Sequence, residues 1–215
     1  MKFTRFAPIA ALLVGVLALT AVACGGDDKD KVANAAETAT TTQAPTNTPT
    51  EAPPTPTATP TPFDGNVARF KIPRFGVDAP IELLGVDETN TMETPQDENT
   101  AVGWYHIYDR PGWHGNSIFS AHVYYHNVPA PFVSLADSQV GDTVIITMED
   151  GTEYTYEVFS NERYHRDTIP MGDIIWPQDR PEGEEWVTLI TCGGELDSTG
   201  WEYISRDVVV AKRVS

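Results

Sequence analysis

Residues 186 to 214 read WVTLITCGGELDSTGWEYISRDVVVAKRV, and this stretch decides both the fold and the candidate site. A run of β-forming residues leads up to Cys192, and Gly193 and Gly194 are expected to end the strand immediately after it. A second apolar run begins just behind Arg206. We therefore predict two neighbouring strands that bring the thiol of Cys192 and the guanidinium of Arg206 to the same end.

The other residues from 63 onward show the same β-type pattern. Apolar and aromatic residues fall in short runs separated by Gly, Pro, Asn and Asp, with little helical periodicity. This pattern predicts an all-β or mainly β domain, built as a closed barrel or a sandwich, with short helical segments in the connections 129–138 and 163–181. A tight turn at Asp150 and Gly151 is predicted to form a hairpin. The predicted strands are 69–72, 79–85, 117–121, 143–148, 153–160, 186–192 and 206–214.

The first 24 residues have the features of an export signal. Lys2 and Arg5 precede an apolar run at 7–23, and Cys24 follows this run. Small residues around Cys24 resemble a lipoprotein processing site, which predicts a lipid on the Cys24 thiol. The alternative is an uncleaved membrane anchor, since about 17 to 25 apolar residues are needed to span a bilayer. In either case the positive charges stay inside, and the rest of the chain is expected on the extracellular face of the cytoplasmic membrane.

Residues 25–62 are predicted to be a disordered linker. They repeat Thr and Pro and contain almost no large apolar residue, so they cannot bury enough surface to offset the entropy of ordering. Prolines favour an extended polyproline II conformation with a rise of about 3.1 Å per residue. Such a linker would hold the folded domain, residues 63–215, away from the bilayer and within the cell-wall layer.

The charge of the chain argues against nucleic acid as a partner. The formal net charge is −17, and residues 63–215 contain 26 acidic and 10 basic side chains. Proteins that bind phosphate backbones present a basic surface, so a domain this acidic is not predicted to bind DNA or RNA. The charge is expected to keep an exposed domain in solution, and it does not identify a substrate.

Cys192 is the single cysteine of the domain, because the chain has two cysteines and the other is Cys24. An unpaired thiol outside the cell is at risk of oxidation, which favours a chemical role, although a free cysteine is more commonly a small buried apolar residue. A cysteine nucleophile also needs a proton donor for the leaving amine and donors for an oxyanion. Arg206 supplies such donors, unless it only forms a surface ion pair with Asp207 worth under about 1 kcal/mol.

The five histidines of the chain are candidates for the proton donor, and among them His122 directly follows a predicted strand. It follows the strand-like run NSIFSAH directly after a glycine-containing turn at 112–116. His126 is the substitute candidate, and it lies four residues from His122. No third ligand is placed to complete a zinc site with this pair, so neither a metal nor a cofactor is predicted. The remaining histidines lie in polar or aromatic loops and are expected to be exposed or structural: His106, His114 and His165.

The sequence resembles the sortases, the bacterial cysteine transpeptidases that attach proteins to the cell wall. The family motif Thr-Leu-x-Thr-Cys is matched by residues 188–192, and Arg206 begins the next predicted strand as the catalytic Arg of the family does. A Pro-Gly-x-x-Gly-Asn turn at 111–116 precedes His122, as in the family. The residue before this histidine is Ala121, where the family usually has Gly.

The resemblance covers nearly all of residues 67–214 and is closest to the class F and class E branches. It implies a closed eight-stranded β-barrel with one groove, and no cofactor. In the groove Cys192 would attack the Thr-Gly carbonyl of an LPxTG-like sorting signal, Arg206 would stabilise the oxyanion, and His122 would protonate the leaving amine. Thr191 would support the substrate or the oxyanion through a hydrogen bond.

The resemblance also implies partners and a location. The donors would be proteins with a C-terminal sorting signal, and the acceptor would be an amine of a peptidoglycan precursor or a pilin Lys, at the cell envelope. Two alternatives remain open. One is a lipid-anchored binding module that keeps the barrel without efficient catalysis, which Ala121 and the unusual anchor favour. The other is a cysteine hydrolase of cell-wall peptides.

Overall fold

The computed structural model describes residues 61–215, in which ten β-strands and one α-helix are found. The predicted export signal with Cys24 and most of the predicted linker 25–62 lie outside the described residues. The strands are β1 (Val67–Ile72), β2 (Val77–Leu84), β3 (Val102–Tyr105), β4 (Asn116–Ser120), β5 (Tyr124–Tyr125), β6 (Val128–Pro129), β7 (Thr143–Met148), β8 (Glu153–His165), β9 (Trp186–Leu196) and β10 (Tyr203–Arg213). The connections contain α1 (Met171–Ile175) and two 3-10 turns, Pro73–Phe75 and Leu135–Asp137. None of the helices between residues 61 and 215 has the length and apolar character needed to cross a membrane.

Eight of the strands close a barrel in the order β1-β2-β3-β4-β9-β10-β8-β7, and β7 pairs back onto β1. Neighbouring strands are antiparallel except for β2–β3 and β4–β9, which are parallel. β5 and β6 form a separate two-stranded ribbon. The prediction of a mainly β, closed eight-stranded barrel with short helices in the connections is confirmed.

Side chains alternate between the interior and the outside of the barrel, as the two-residue period of a strand requires. β7 is the clearest case, because Val144, Ile146 and Met148 are buried while the residues between them are partly exposed. Inside the barrel Phe70 of β1 packs against Phe119 of β4, with ring centroids 5.2 Å apart. This interior core fixes the strands whose ends carry the candidate site residues.

Gly193 and Gly194 do not end β9, so this part of the sequence prediction is wrong. β9 continues to Leu196 and stays paired with β10, with a bulge near its end. Gly194 has a φ of +75°, a left-handed conformation that glycine adopts without a steric penalty. The glycines therefore let the strand bulge instead of stopping it. Cys192 consequently lies within a strand and not at its end.

Two further elements differ from the prediction. β3 is not predicted by the sequence pattern, because its four residues are all buried and show no alternation. The helix predicted at 129–138 is only a 3-10 turn at Leu135–Asp137, since Pro131 disfavours a helical conformation at the residue before it and leaves few residues for a regular helix. The β7–β8 hairpin is as predicted, and α1 lies within the segment 163–181.

A buried carboxylate ties the start of β9 to the turn before β4. Glu185 is 2% exposed and accepts hydrogen bonds from the backbone N–H groups of Gly112 at 2.6 Å and His114 at 3.3 Å. It also accepts hydrogen bonds from the Tyr156 hydroxyl and, at 3.1 Å, from the Arg213 guanidinium. The pKa of Tyr156 is raised, because burial and the Glu185 carboxylate both disfavour the phenolate. Four donors thus satisfy a carboxylate that would otherwise be costly to bury.

Replacing Glu185 by leucine is expected to destabilise the fold by about 3–5 kcal/mol, because the change leaves buried donors and the Arg213 guanidinium without their acceptor. Urea-induced unfolding of the variant and of the wild type measures this difference. Glu182→Leu, at an exposed position three residues earlier, is the control. Equal free energies of unfolding for Glu185→Leu and the wild type would contradict the prediction.

Candidate active site

The parallel pairing of β4 and β9 brings His122 and Cys192 to the same end of the barrel. In this pair Ser120 lies opposite Ile190. His122 and Cys192 each follow two residues later, and residues two apart in an extended chain point to the same side. The Ile190 side chain packs in a cluster outside the interior core, and both His122 and Cys192 line a cavity next to it.

Arg206 lies directly opposite Cys192 in the antiparallel β9–β10 pair. Side chains in such a cross-strand pair have Cβ atoms about 4.5–5.5 Å apart, so the guanidinium and the thiol are neighbours. Nη1 of Arg206 donates to the carbonyl oxygens of Tyr203 at 3.2 Å and Ser205 at 2.9 Å. These two bonds fix the guanidinium group at the edge of the cavity.

The ion pair that the sequence allows between Arg206 and Asp207 is not formed. Asp207 is buried on the other face of β10 and accepts two hydrogen bonds from Arg163 of β8, at 2.6 and 2.9 Å. Gly193 leaves room for this pair, because a Cβ atom at residue 193 would lie 2.1 Å from Oδ2 of Asp207. Arg206 is therefore left to face the cavity.

Two hydrogen bonds hold the backbone on either side of His122. Oγ1 of Thr191 donates to the carbonyl oxygen of Ala121 at 2.7 Å, and the N–H of Phe132 donates to the carbonyl oxygen of His122 at 3.1 Å. The Thr191 hydroxyl, which is predicted to support the substrate or the oxyanion, is thus engaged with the peptide group before His122. Nε2 of the His122 imidazole is buried and has no hydrogen-bond partner among residues 61–215.

The three candidate catalytic side chains line one cavity of about 650 Å³. Its other walls are largely apolar and include Met92 from the β2–β3 connection, Ile175 from α1 and Trp176 just after it. In the part of the chain that the structure describes, no Asp or Glu lines this cavity, although the domain has 26 acidic residues. Arg206 supplies positive charge there, whereas Arg166, which also lines the cavity, is paired with Glu202 and Asp167. The cavity therefore suits an uncharged peptide segment and a developing oxyanion.

Burial raises the pKa of the Cys192 thiol above its ordinary value. The positive charge of Arg206 acts in the opposite sense, because it favours the thiolate, whereas Asp207 and Glu202 raise the pKa further. The net shift is upward, so the thiol predominates over the thiolate at neutral pH in the free protein.

The other histidines do not line this cavity. His114 instead lines a larger cavity of about 1170 Å³ at the opposite end of β4, where none of the candidate catalytic residues lies. His122 is therefore the histidine that the fold places with Cys192. The remaining three are distributed over loops and a strand end: His106, His126 and His165.

A comparison with protein-family models matches residues 70–214 to the Sortase domain. The chain belongs to the sortase family. The matched range runs from β1 to the end of β10 and includes all three candidate catalytic residues. A comparison with curated proteins gave no match.

This sortase is similar in fold to several solved structures. Sortase C1 of Streptococcus agalactiae is 24% identical, and the match covers 68% of this chain and 66% of that chain with a TM-score of 0.51. A lid mutant of sortase A from Corynebacterium diphtheriae is 22% identical, with 69% and 70% covered and a TM-score of 0.52. Sortase C-1 from Actinomyces oris is 23% identical, with 69% and 71% covered and a TM-score of 0.52. The chain thus spans about two thirds of the length of the first structure, and these likenesses support the shared barrel.

Sortases are cysteine transpeptidases that act at the cell envelope, and membership of the family places this chain in that class of enzyme. The similarity to class F and class E stays a prediction. Ala121 fits the position before His122 where the family usually has Gly. It is not among the described residues with a positive φ, so its backbone conformation does not require glycine. Its methyl group packs in the interior core and is 6% exposed.

The rate of Cys192 alkylation by iodoacetamide is expected to rise with pH to a midpoint above the value of about 8.5 for a free thiol, because the thiolate is the reactive form. Glu202→Gln is expected to move this midpoint to lower pH, since the Glu202 carboxylate disfavours the thiolate. Mass spectrometry of the peptide that contains Cys192 measures the rate. Glu157→Gln, exposed on β8, is the matched control. A wild-type midpoint below that of a free thiol would refute the expectation.

Proposed function

We propose that this sortase is a cell-surface transpeptidase that cleaves an LPxTG-like sorting signal between Thr and Gly and transfers the acyl group to a cell-wall or pilin amine. One observation carries the proposal. Cys192, Arg206 and His122 lie on, or directly after, three adjacent strands and line the same cavity. Family membership supports the reaction class, and the resemblance to sortases implies the residue roles and the LPxTG-like signal. A thiol, a guanidinium and an imidazole have the chemistry that these roles need.

In the first half of the reaction, the thiolate form of Cys192, which is the minor form at neutral pH, attacks the carbonyl carbon of the Thr-Gly peptide bond through Sγ. The oxyanion that forms is stabilised by the Arg206 guanidinium, which is permanently charged and has donors beyond those held by its own strand. As the C–N bond breaks, the His122 imidazolium gives its proton to the leaving Gly amine. The products are a thioester on Cys192 and the released C-terminal fragment.

In the second half, an acceptor amine attacks the thioester carbonyl. His122, now neutral, takes the proton that the amine loses, and the C–S bond breaks to release the Cys192 thiolate. The acceptor is proposed to be an amine of a peptidoglycan precursor or a pilin Lys. Water in place of the amine would give hydrolysis, which is the outcome that a cysteine hydrolase of cell-wall peptides predicts.

The remaining parts of the chain are proposed to place the domain at the cell surface. Residues 1–24 would attach it to the membrane, through a lipid on Cys24 or as an uncleaved anchor. Residues 25–62 would act as an extended linker, and residues 63–215 would be the catalytic domain. The substrate proteins would meet the cavity outside the membrane.

Incubation of the purified full chain with an LPxTG-like peptide and a primary amine tests the proposal by mass spectrometry. A cleaved signal joined to the amine, together with a thioester adduct on Cys192, is the expected result. Cleavage without transfer would favour the hydrolase. If a panel of signal variants gave neither cleavage nor adduct on a folded protein, the binding module without efficient catalysis would replace the proposal.

A further inference from the structure

Helix α1 forms one wall of the cavity but is too short to be stable by itself. It has five residues, Met171–Ile175, and no side chain caps its N-terminus. Isolated helices shorter than about 12–15 residues are marginal in water. Pro170 and Pro177 border it and prevent its extension by a regular turn on either side. Contacts with the barrel must therefore determine the position of α1.

Apolar contacts hold α1 against the barrel. Ile175 is buried in a cluster with Ile118 of β4 and Ile190 of β9. Trp176, which is 57% exposed, packs edge-to-face on Tyr108 with ring centroids 5.5 Å apart. Apolar burial is non-directional, so these contacts keep α1 on the barrel without fixing its position along the surface.

The directional contact comes from Asn116, the first residue of β4. Its side chain is 1% exposed, and Nδ2 donates to the carbonyl oxygens of Ile174 at 2.9 Å and Ile175 at 3.1 Å. The last carbonyls of a helix have no partner within the helix, so Asn116 satisfies groups that α1 itself leaves open. Oδ1 of Asn116 accepts a hydrogen bond from Oγ1 of the buried Thr188 at 2.8 Å. Both ends of the amide are thus engaged, which fixes its orientation.

We propose that Asn116 is a positioning residue for the sorting peptide, because it fixes the α1 wall that contacts the apolar side chains of the signal. Asn116 belongs to β4, whose other end is followed by His122, and Thr188 belongs to β9, in which Cys192 lies four residues further on. The α1 wall and the reacting groups are therefore held in place by the same pair of strands, β4 and β9. This inference rests on the proposed function.

The Asn116→Asp variant tests the inference in the full chain. The aspartate keeps an oxygen for Thr188 but turns a second oxygen toward the two helix carbonyls, which replaces two hydrogen bonds by repulsion. Asn161→Asp is the matched control. Nδ2 of Asn161 donates to the carbonyl oxygens of Ala136 and Ser138 at 3.0 and 2.9 Å, at the end of a 3-10 turn that does not line the cavity.

Hydrogen exchange of the amides of 172–176 is expected to become about tenfold faster in Asn116→Asp, because the local opening of α1 costs less free energy. KM for the LPxTG-like peptide is expected to rise about tenfold, and the preference for Leu over Ala at the first signal position to fall by a similar factor. The value of kcat should change by less than about threefold. The pH profile of Cys192 alkylation should match that of the wild type and of Asn161→Asp.

Unchanged exchange at α1 in a folded Asn116→Asp protein would overturn the inference, as would faster exchange with unaltered KM and selectivity. If kcat falls, KM rises and the alkylation profile changes together, Asn116 has a general structural role instead. If Asn116→Asp does not fold, Thr188→Val removes only the hydroxyl that orients the amide, and a rise in KM of about threefold is expected. A wild-type protein that cleaves no signal would refute the proposed function, and the exchange data would still decide whether Asn116 anchors α1.

Discussion

The Cys192→Ala variant is expected to form no acyl adduct and to transfer no sorting peptide, a loss of at least about 10⁴-fold in kcat. The thiol sulfur is the atom that bonds to the substrate carbonyl, and a methyl group cannot replace it. The chain offers no second thiol in the domain, because its other cysteine is Cys24. Since Cys192 is only partly buried, the smaller side chain should leave the fold and peptide binding intact.

Intact-protein mass spectrometry after incubation with peptide and amine measures the adduct, and calorimetry measures peptide binding. Cys24→Ala is the matched control, since it removes the other thiol and should keep adduct formation and transfer when the protein is assayed in detergent. An adduct on Cys192→Ala, or transfer within tenfold of the wild-type rate, would remove Cys192 from the proposed mechanism.

The Arg206→Ala variant is expected to lower kcat by about 10²–10³-fold, the usual effect of losing an oxyanion donor. It should also raise the pKa of Cys192 further, because the positive charge of Arg206 opposes the effect of burial on the thiol. Arg206→Lys separates the two effects. Lysine keeps the charge but lacks the planar set of donors, so the alkylation midpoint should stay near that of the wild type while kcat still falls.

Single-turnover acylation rates and alkylation profiles of the two Arg206 variants provide the test. Lys212→Ala, exposed on the same strand, is the control for a change of net charge. Wild-type kcat in Arg206→Ala would exclude an oxyanion role. Wild-type kcat in Arg206→Lys would show that a positive charge without the guanidinium geometry is sufficient.

The pairing of Cys192 with Arg206 follows from local sequence, because the two strands are joined by one short loop and antiparallel neighbours are the simplest solution. The place of His122 does not follow in this way. Its strand is paired in parallel with a segment 70 residues away, and the resemblance to a known family was needed to select it from five histidines. Parallel pairing of distant segments has no local signal in a single sequence.

The element bounds that the sequence did not predict depend on tertiary contacts. α1 has the sequence Met-Gly-Asp-Ile-Ile, which has low helix propensity, and it is held by Asn116 and by apolar packing. Asn116 itself is identifiable from sequence only as the end of a turn motif. Gly193 and Gly194 favour the end of a strand unless a partner strand continues to pair beyond them, as β10 does.

The parallel pairing of β4 with β9 also determines the stage of folding at which the candidate active site is formed. Thr188 and Asn116 lie 72 residues apart, and contacts of such long range close only when most of the barrel has assembled. Until then Cys192 is an ordinary thiol with no imidazole beside it. The proposed transpeptidase activity is therefore expected only from chains whose barrel has closed, because only the closed barrel brings Cys192, Arg206 and His122 to one cavity.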